Sequence, residues 1–281
     1  MGRRRKRRRF RLRQRRLNLR RTLFLLPNLV TLSSIFCGFY AMVLAATGRG
    51  DDDFFRAALL IVFAMFFDML DGRVARATKT QSAFGLQLDS LADVVSFGAA
   101  PALLIYSWTL SRLGVWGMFA AFAYVACGAI RLARFNVLSM DASGAPTTPP
   151  KYIVGLPIPG AAGILVALVV ANRAVEGALG GPQYVHLILA VMLGLAWLMV
   201  SSVRFRSFKD LKLNLRTVLF VALAIGSSAV VSTQLEPAFV LLWLLGAYVA
   251  LGIVEWLLAL PRRLRSVATR HDSTAPPPEP E

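Results

Sequence analysis

The chain has 281 residues, 56% of them hydrophobic, with a mean hydropathy of +0.58, a balance that excludes an ordinary soluble domain of this length. Its formal net charge of +17 does not describe a uniformly basic surface, because the basic residues gather in short segments between long apolar runs. Cys37 and Cys127 both fall inside apolar runs and offer neither a disulfide framework nor metal-ligand spacing.

Residues 1–27 form a basic segment with 13 Lys and Arg. Such a stretch next to a spanning helix is expected to lie against anionic lipid, and nothing in it interleaves aromatics for base stacking, so no nucleic acid partner is expected. A membrane-spanning helix needs about 20 mostly apolar residues, and eight segments qualify: 28–47, 54–76, 84–110, 115–137, 156–171, 185–203, 216–232 and 237–260. The expected fold is therefore all-α, a polytopic transmembrane helix bundle occupying 28–260. The first apolar run is too long for a cleaved secretory signal, whose apolar region is about 7–15 residues, so an uncleaved helix is expected there. Residues 261–281 read as a basic, then Pro-rich, disordered tail.

Alternating these segments across a membrane places 28 of the 32 Lys and Arg on one side, leaving Arg49, Arg56, Arg112 and Arg173 on the other. Cytoplasmic loops retain basic residues. The partition thus predicts an inner-membrane protein with both termini cytoplasmic and an even number of spans.

Four carboxylates sit where a bilayer disfavours them. Asp68 and Asp71 close the second segment, after the apolar run 57–67, and Asp89 and Asp93 open the third. Each costs roughly 2.5–3.5 kcal/mol at a bilayer centre. Asp68, Asp71, Gly72 and Ala75 share one helical face, and Gly85, Asp89 and Asp93 recur every four residues on the next helix. A short link lets the two helices return antiparallel, so the acidic faces can meet. Four converging carboxylates repel one another unless divalent cations lie between them, and hard oxygen ligands favour Mg²⁺, Mn²⁺ or Ca²⁺. Gly72, Ala75 and Gly85 serve either close helix packing or room for a substrate.

Read as one string, Asp68-Met-Leu-Asp71-Gly72-Arg-Val-Ala75-Arg76, eight residues, Gly85, three residues, Asp89, three residues and Asp93 resembles the signature of the CDP-alcohol phosphotransferase family at all eight defining positions. The resemblance implies a six-helix core, here about 28–203 with two further spans in 216–260, holding one or two divalent metals, Mg²⁺ or Mn²⁺, at the cytoplasmic membrane face. It implies Asp68, Asp71 and Asp89 as metal ligands, Asp93 as ligand or general base, and Gly72, Ala75 and Arg76, with Gly85, along the CDP site. The flank Leu88-Asp-Ser-Leu-Ala-Asp93-Val-Val-Ser-Phe-Gly98-Ala-Ala-Pro101-Ala is similar to the membrane-spanning bacterial class of that family whose acceptor is serine. So are Leu26-Pro-Asn-Leu-Val-Thr31, Arg131-Leu-Ala-Arg134-Phe-Asn136 and Gly155-Leu-Pro-Ile-Pro159. The similarity covers about 26–165.

That class implies transfer of a phosphatidyl group from CDP-diacylglycerol to L-serine, with phosphatidylserine and CMP as products and a homodimer as the assembly. A poor hydroxyl nucleophile needs a proton acceptor, for which Asp93 is the candidate. A serine site also needs a carboxylate partner. Arg131 and Arg134, i, i+3 neighbours at the end of the fourth segment, suit it, with Asn136 and Lys151 beside them; the plain alternative is snorkelling to lipid head groups. Asn28 and Thr31 either help hold the nucleotide or, for Asn28, cap the first helix. Other acceptors, namely glycerol 3-phosphate, inositol phosphate and choline, remain open. From a different class, so does an ion or proton transporter, although a translocation path would scatter its ionisable groups through the membrane's depth.

Overall fold

The computed structural model describes residues 19–78, 80, 82–139, 152–206, 227–228 and 237–272. Its helices in chain order are α1 (Leu19–Thr47), α2 (Asp51–Thr78), α3 (Ala83–Asp93), α4 (Ala100–Trp108), α5 (Val115–Ser139), α6 (Ile158–Ala174), α7 (Val185–Val200) and α8 (Ala238–Asp272). A π-helical segment, Val94–Ala99, joins α3 to α4 without a break in the rod. Two three-residue strands, β1 (Tyr152–Val154) and β2 (Arg204–Arg206), pair antiparallel with Ile153 opposite Phe205, a small departure from the expected all-helical bundle.

Among the described residues, four helical stretches are long and apolar enough to cross a membrane: Leu26–Thr47, Ala83–Trp108, Val115–Leu138 and Pro182–Val200. Ile158–Ala174 and Ala238–Val254 are shorter apolar helices. The chain is a membrane protein. α2 has the length, but Arg56, Asp68, Asp71 and Arg73 interrupt its apolar run. Helices thus coincide with seven of the eight expected segments; the remaining one, 216–232, lies almost wholly outside the described residues. So do Lys151, most of the basic segment 1–27 and residues 273–281; the first part of the tail expected to be disordered over 261–281 instead continues α8 as far as Asp272.

Burial sorts the helices into a centre and a periphery. Along α6, Ala161, Ala162, Leu165, Val166 and Val169 are all buried. A helix that is apolar all round belongs inside, and α6 accordingly packs on α2, α4, α7 and α8. α5 exposes Trp116, Phe119, Phe122 and Ile130, as a helix facing lipid can. The fully buried Tyr124 turns inward from the same helix, and its hydroxyl donates to the Phe97 carbonyl of the π-helical segment at 3.2 Å.

α1 lies along α2 and the π-helical segment. The Ser34 hydroxyl donates to the Ala64 carbonyl at 3.1 Å, and the Ser96 hydroxyl donates back to the Ser34 carbonyl at 3.0 Å. Gly38 makes this approach possible: a Cβ there would stand 2.7 Å from the Ser96 Cα. Small residues let membrane helices close to this distance.

Gly155 has a comparable reason to be glycine. Its φ of +82° disfavours a side chain, and a Cβ would meet the Met199 carbonyl oxygen at 2.3 Å. From that corner the Gly155 N–H donates to Val203 and the Leu156 N–H to Leu198, tying the start of α6 to the end of α7. At the far end of the bundle, Arg173 pairs with Asp52 at 3.1 Å and lies over the Phe55 ring.

Candidate active site and metal centre

The link between α2 and α3 is built from hydroxyls. The Thr78 hydroxyl donates to the Val74 carbonyl, Thr78 and Thr80 share a hydrogen bond at 2.7 Å, and the Thr80 N–H returns to the Ala75 carbonyl at 3.0 Å. Ser82 then caps α3, its extended backbone turning the side chain to accept the Gly85 N–H at 3.0 Å. The reversal is tight enough that the aspartates of the two helices converge.

Oxygens of Asp68, Asp71 and Asp89 all lie within 4.8 Å of one another. Asp68 also comes within hydrogen-bonding reach of Asp93. Asp71 is only 5% exposed, and Oδ1 of Asp93 is buried with no hydrogen-bond partner. Buried carboxylates in this number repel one another strongly, and a buried unpartnered oxygen carries a desolvation cost. A hard dication between them removes both penalties. The residues present therefore fit a divalent metal: all donors are carboxylate oxygens, with one oxygen left over.

α1 supports this cluster from the side. The Thr31 hydroxyl donates to Asp71 Oδ2 at 2.6 Å and also approaches the Pro27 carbonyl at 3.1 Å. Asn28 lies inside α1, nine residues past its start, so it caps nothing. Its Oδ1 comes to within 4.0 Å of where a Gly85 Cβ would be. Gly85 thus opens space beside Asn28 at the mouth of the cluster. On α2 the Arg76 guanidinium lies beside Gly72, Nη1 3.6 Å from the corresponding point there, while Ala75 contributes its carbonyl to the turn.

The three residues expected at the acceptor end separate. Arg131 lies within electrostatic range of Asp93 without pairing with it, and its Nε is buried without a partner. Arg134 is exposed and reaches the Val200 carbonyl at the end of α7, at 3.4 Å, a favourable place for a cation. Asn136 is tied to α3: its amide donates to the Ser90 hydroxyl at 2.9 Å and its carbonyl oxygen accepts from that hydroxyl at 3.1 Å. Only Arg131 of the three faces the carboxylates. The sequence reading missed Ser90, which fastens α5 to α3 one residue after Asp89, and Ser34 with Ser96. A hydroxyl within an apolar run is the one available signal, and by itself it says nothing of a partner.

A sequence model of the CDP-alcohol phosphatidyltransferase family matches residues 24–260, which spans every feature just described. A CDP-diacylglycerol–serine O-phosphatidyltransferase of Helicobacter pylori is 40% identical over 235 residues, 84% of this chain and 92% of that protein. Proteins of the same name from Methanocaldococcus jannaschii and Bacillus subtilis are each 35% identical, covering 68% and 66% of this chain and 78% and 91% of their own lengths.

Proposed function

This chain belongs to the CDP-alcohol phosphatidyltransferase family, and from that premise we propose that it transfers the phosphatidyl group of CDP-diacylglycerol to the hydroxyl of L-serine, yielding phosphatidylserine and CMP. Two kinds of support meet here. The relatives that bear this name align over most of their length, and the carboxylate trio with its 4.8 Å spread is the arrangement that pyrophosphate chemistry asks for.

Asp68, Asp71 and Asp89 would hold the divalent metal, Mg²⁺ or Mn²⁺, which when bound would neutralise pyrophosphate oxygens and the charge that develops on the departing CMP. Gly72 and Gly85 leave room for the nucleotide between Arg76 and Asn28, and Thr31 acts one step back by fixing Asp71. Asp93 accepts the proton of the serine hydroxyl as its oxygen attacks the phosphorus linked to diacylglycerol. The bond from that phosphorus to the CMP oxygen breaks in the same displacement, and the proton passes on to solvent. Arg131, buried and with Nε unpartnered, takes the serine carboxylate. That contact favours serine over choline, which carries no anion, while the names of the aligned relatives favour serine over glycerol 3-phosphate and inositol phosphate, whose phosphates would also pair with a guanidinium.

The basic clustering supports an inner-membrane location with both termini cytoplasmic, the aspartates at the cytoplasmic face and the first 27 residues against anionic lipid. A homodimer is the assembly we expect. The transporter alternative gains nothing from the geometry, since the four aspartates gather at one end of the bundle.

Labelled serine supplied with CDP-diacylglycerol and Mn²⁺ or Mg²⁺ to the purified chain tests the proposal. Phosphatidylserine and CMP should appear in equal amounts. A chain that makes product only with a different acceptor refutes the serine assignment, and release of CMP before serine is added refutes direct displacement.

A further inference from the structure

At the end of the bundle away from the carboxylates, the short links between helices surround a cavity of about 290 Å³. Asp51 at its wall and Asp68 in the acidic cluster lie on the one continuous helix α2, and the 17 residues between their positions rise by about 26 Å. A bilayer's hydrocarbon core is about 30 Å thick. Around the cavity, Arg49 follows α1, Trp108 ends α4, Arg112 lies in the 3₁₀ turn after it, and Gly177 and Gly180 belong to the link between α6 and α7. The apolar spans end at Thr47 and Trp108 and resume at Pro182. The cavity therefore stands at head-group depth, in the leaflet opposite the aspartates.

Its walls keep the space open. Asn172, 2% exposed, accepts the Gly180 N–H on Oδ1 at 3.0 Å and the Gly177 N–H on its main-chain carbonyl at 2.9 Å, which fixes the link between α6 and α7. Gly177 has a φ of +84°, and a Cβ there would stand 2.7 Å from Asp51 Oδ2. At Gly180 a Cβ would stand 2.8 Å from Trp108 Nε1, so only glycine leaves that nitrogen uncrowded. Trp108 is 5% exposed, and its Nε1 is buried with no hydrogen-bond partner. An indole N–H can only donate, and leaving it unmet costs about 1–3 kcal/mol. The Arg112 guanidinium reaches the same stretch of wall, where Nη1 donates to the Gly180 carbonyl.

Among the described residues, the charged groups lining the cavity are Arg49, Arg112 and Asp51, a net charge of one positive. Two further acids beside it are engaged elsewhere: Asp52 pairs with Arg173, and Asp53 accepts the Arg49 main-chain N–H at 3.2 Å. Arg49 and Arg112 are also two of the four basic residues that the sequence sets apart from the other 28, against the bias that gathers such residues on one side. Two guanidinia and an unmet N–H suit phosphate oxygens, and one net positive charge suits a phosphodiester, which carries a single negative charge, better than dianionic inorganic phosphate. We propose that this cavity binds the phosphate of an anionic phospholipid in the leaflet opposite the carboxylate cluster. The volume admits a head group and leaves the acyl chains outside, along the bundle.

The test uses the full-length chain, purified in nonionic detergent and stripped of lipid, with its thermal midpoint followed as phosphatidylglycerol is added to the micelles. Wild type is compared with Arg49→Gln, Trp108→Phe and, as a charge control, Arg56→Gln, which changes a residue of the same side that does not line the cavity. Lipid bound elsewhere on the chain contributes equally to all four proteins. Phosphatidylglycerol should raise the wild-type midpoint, and the half-maximal lipid fraction should be about tenfold higher in Arg49→Gln and Trp108→Phe, the scale of a lost hydrogen bond to a charged group. Arg56→Gln should titrate like wild type. Should Trp108→Phe fail to fold, Arg49→Gln carries the test alone, since Arg49 is exposed. A half-maximal fraction within twofold of wild type in either folded cavity variant overturns the inference, as does an equal weakening in Arg56→Gln. Inorganic phosphate, added at matched ionic strength in place of lipid, should leave the midpoint where it was; a rise equal to that from phosphatidylglycerol overturns the assignment to lipid.

Discussion

The Thr31 hydroxyl donates to Asp71 Oδ2 over 2.6 Å, so that the first helix of the bundle fixes the most deeply buried of the clustered carboxylates. Asp71 needs such a partner. A metal ligand free to rotate loses affinity, and groups that orient ligands are worth about 10–100-fold in binding. Through Thr31, α1 therefore supports the proposed metal site one step back from its occupant.

Thr31→Val keeps the shape of the side chain and removes the donor. The half-saturating Mn²⁺ concentration should rise about tenfold or more, with most of the maximal rate recovered at high metal. Thr31→Ser should stay near wild type. A titration of activity against Mn²⁺ for the three proteins decides it, and an unchanged half-saturation point in Thr31→Val would remove Thr31 from the support of the site.

Asp93 and Asp89 should separate by role. Asp93→Asn cannot accept the serine proton, and the maximal rate should fall by about 10²–10⁴-fold, the usual contribution of a general base. Its metal requirement should change little. Asp89→Asn should instead raise the metal requirement and be partly rescued by excess. Full turnover in Asp93→Asn would show that the proton goes elsewhere; rescue of that variant by metal would make Asp93 a ligand.

Gly38→Ala places a methyl group 2.7 Å from the Ser96 Cα, where backbone rather than a flexible tip must yield. Overpacking of this kind costs about 1–3 kcal/mol. The thermal midpoint in detergent should drop, and the rate with it, because the π-helical segment displaced by the methyl begins at the residue after Asp93. Gly194→Ala is the control, since nothing lies within 4 Å of its Cβ position. Equal behaviour of the two variants would mean that α1 does not press on the segment as described.

The carboxylate cluster was legible because its signal is local. Asp68, Asp71, Asp89 and Asp93 lie within 26 residues of one another, and helical spacing with a short reversal is enough to bring their faces together. Asn28, Thr31 and Arg131 entered through their place at helix ends, yet spacing could not say that Thr31 would hold Asp71 rather than nucleotide. Nor could it tell Arg131, turned inward, from Arg134, turned to the end of α7. Those outcomes depend on helix rotation. The π-helical segment adds a further rotation immediately after Asp93, and no composition rule marks it in advance. Pro27 illustrates the same limit at a helix start: the sequence places it before the first span, while α1 runs through it from Leu19.

The dications that we propose Asp68, Asp71 and Asp89 hold underlie every step assigned here, and chelation addresses them at once. The full-length chain, dialysed exhaustively against EDTA and supplied with CDP-diacylglycerol and labelled serine, should make phosphatidylserine only at background level and regain its rate when Mn²⁺ or Mg²⁺ is returned. Synthesis that continues undiminished after chelation would contradict the account.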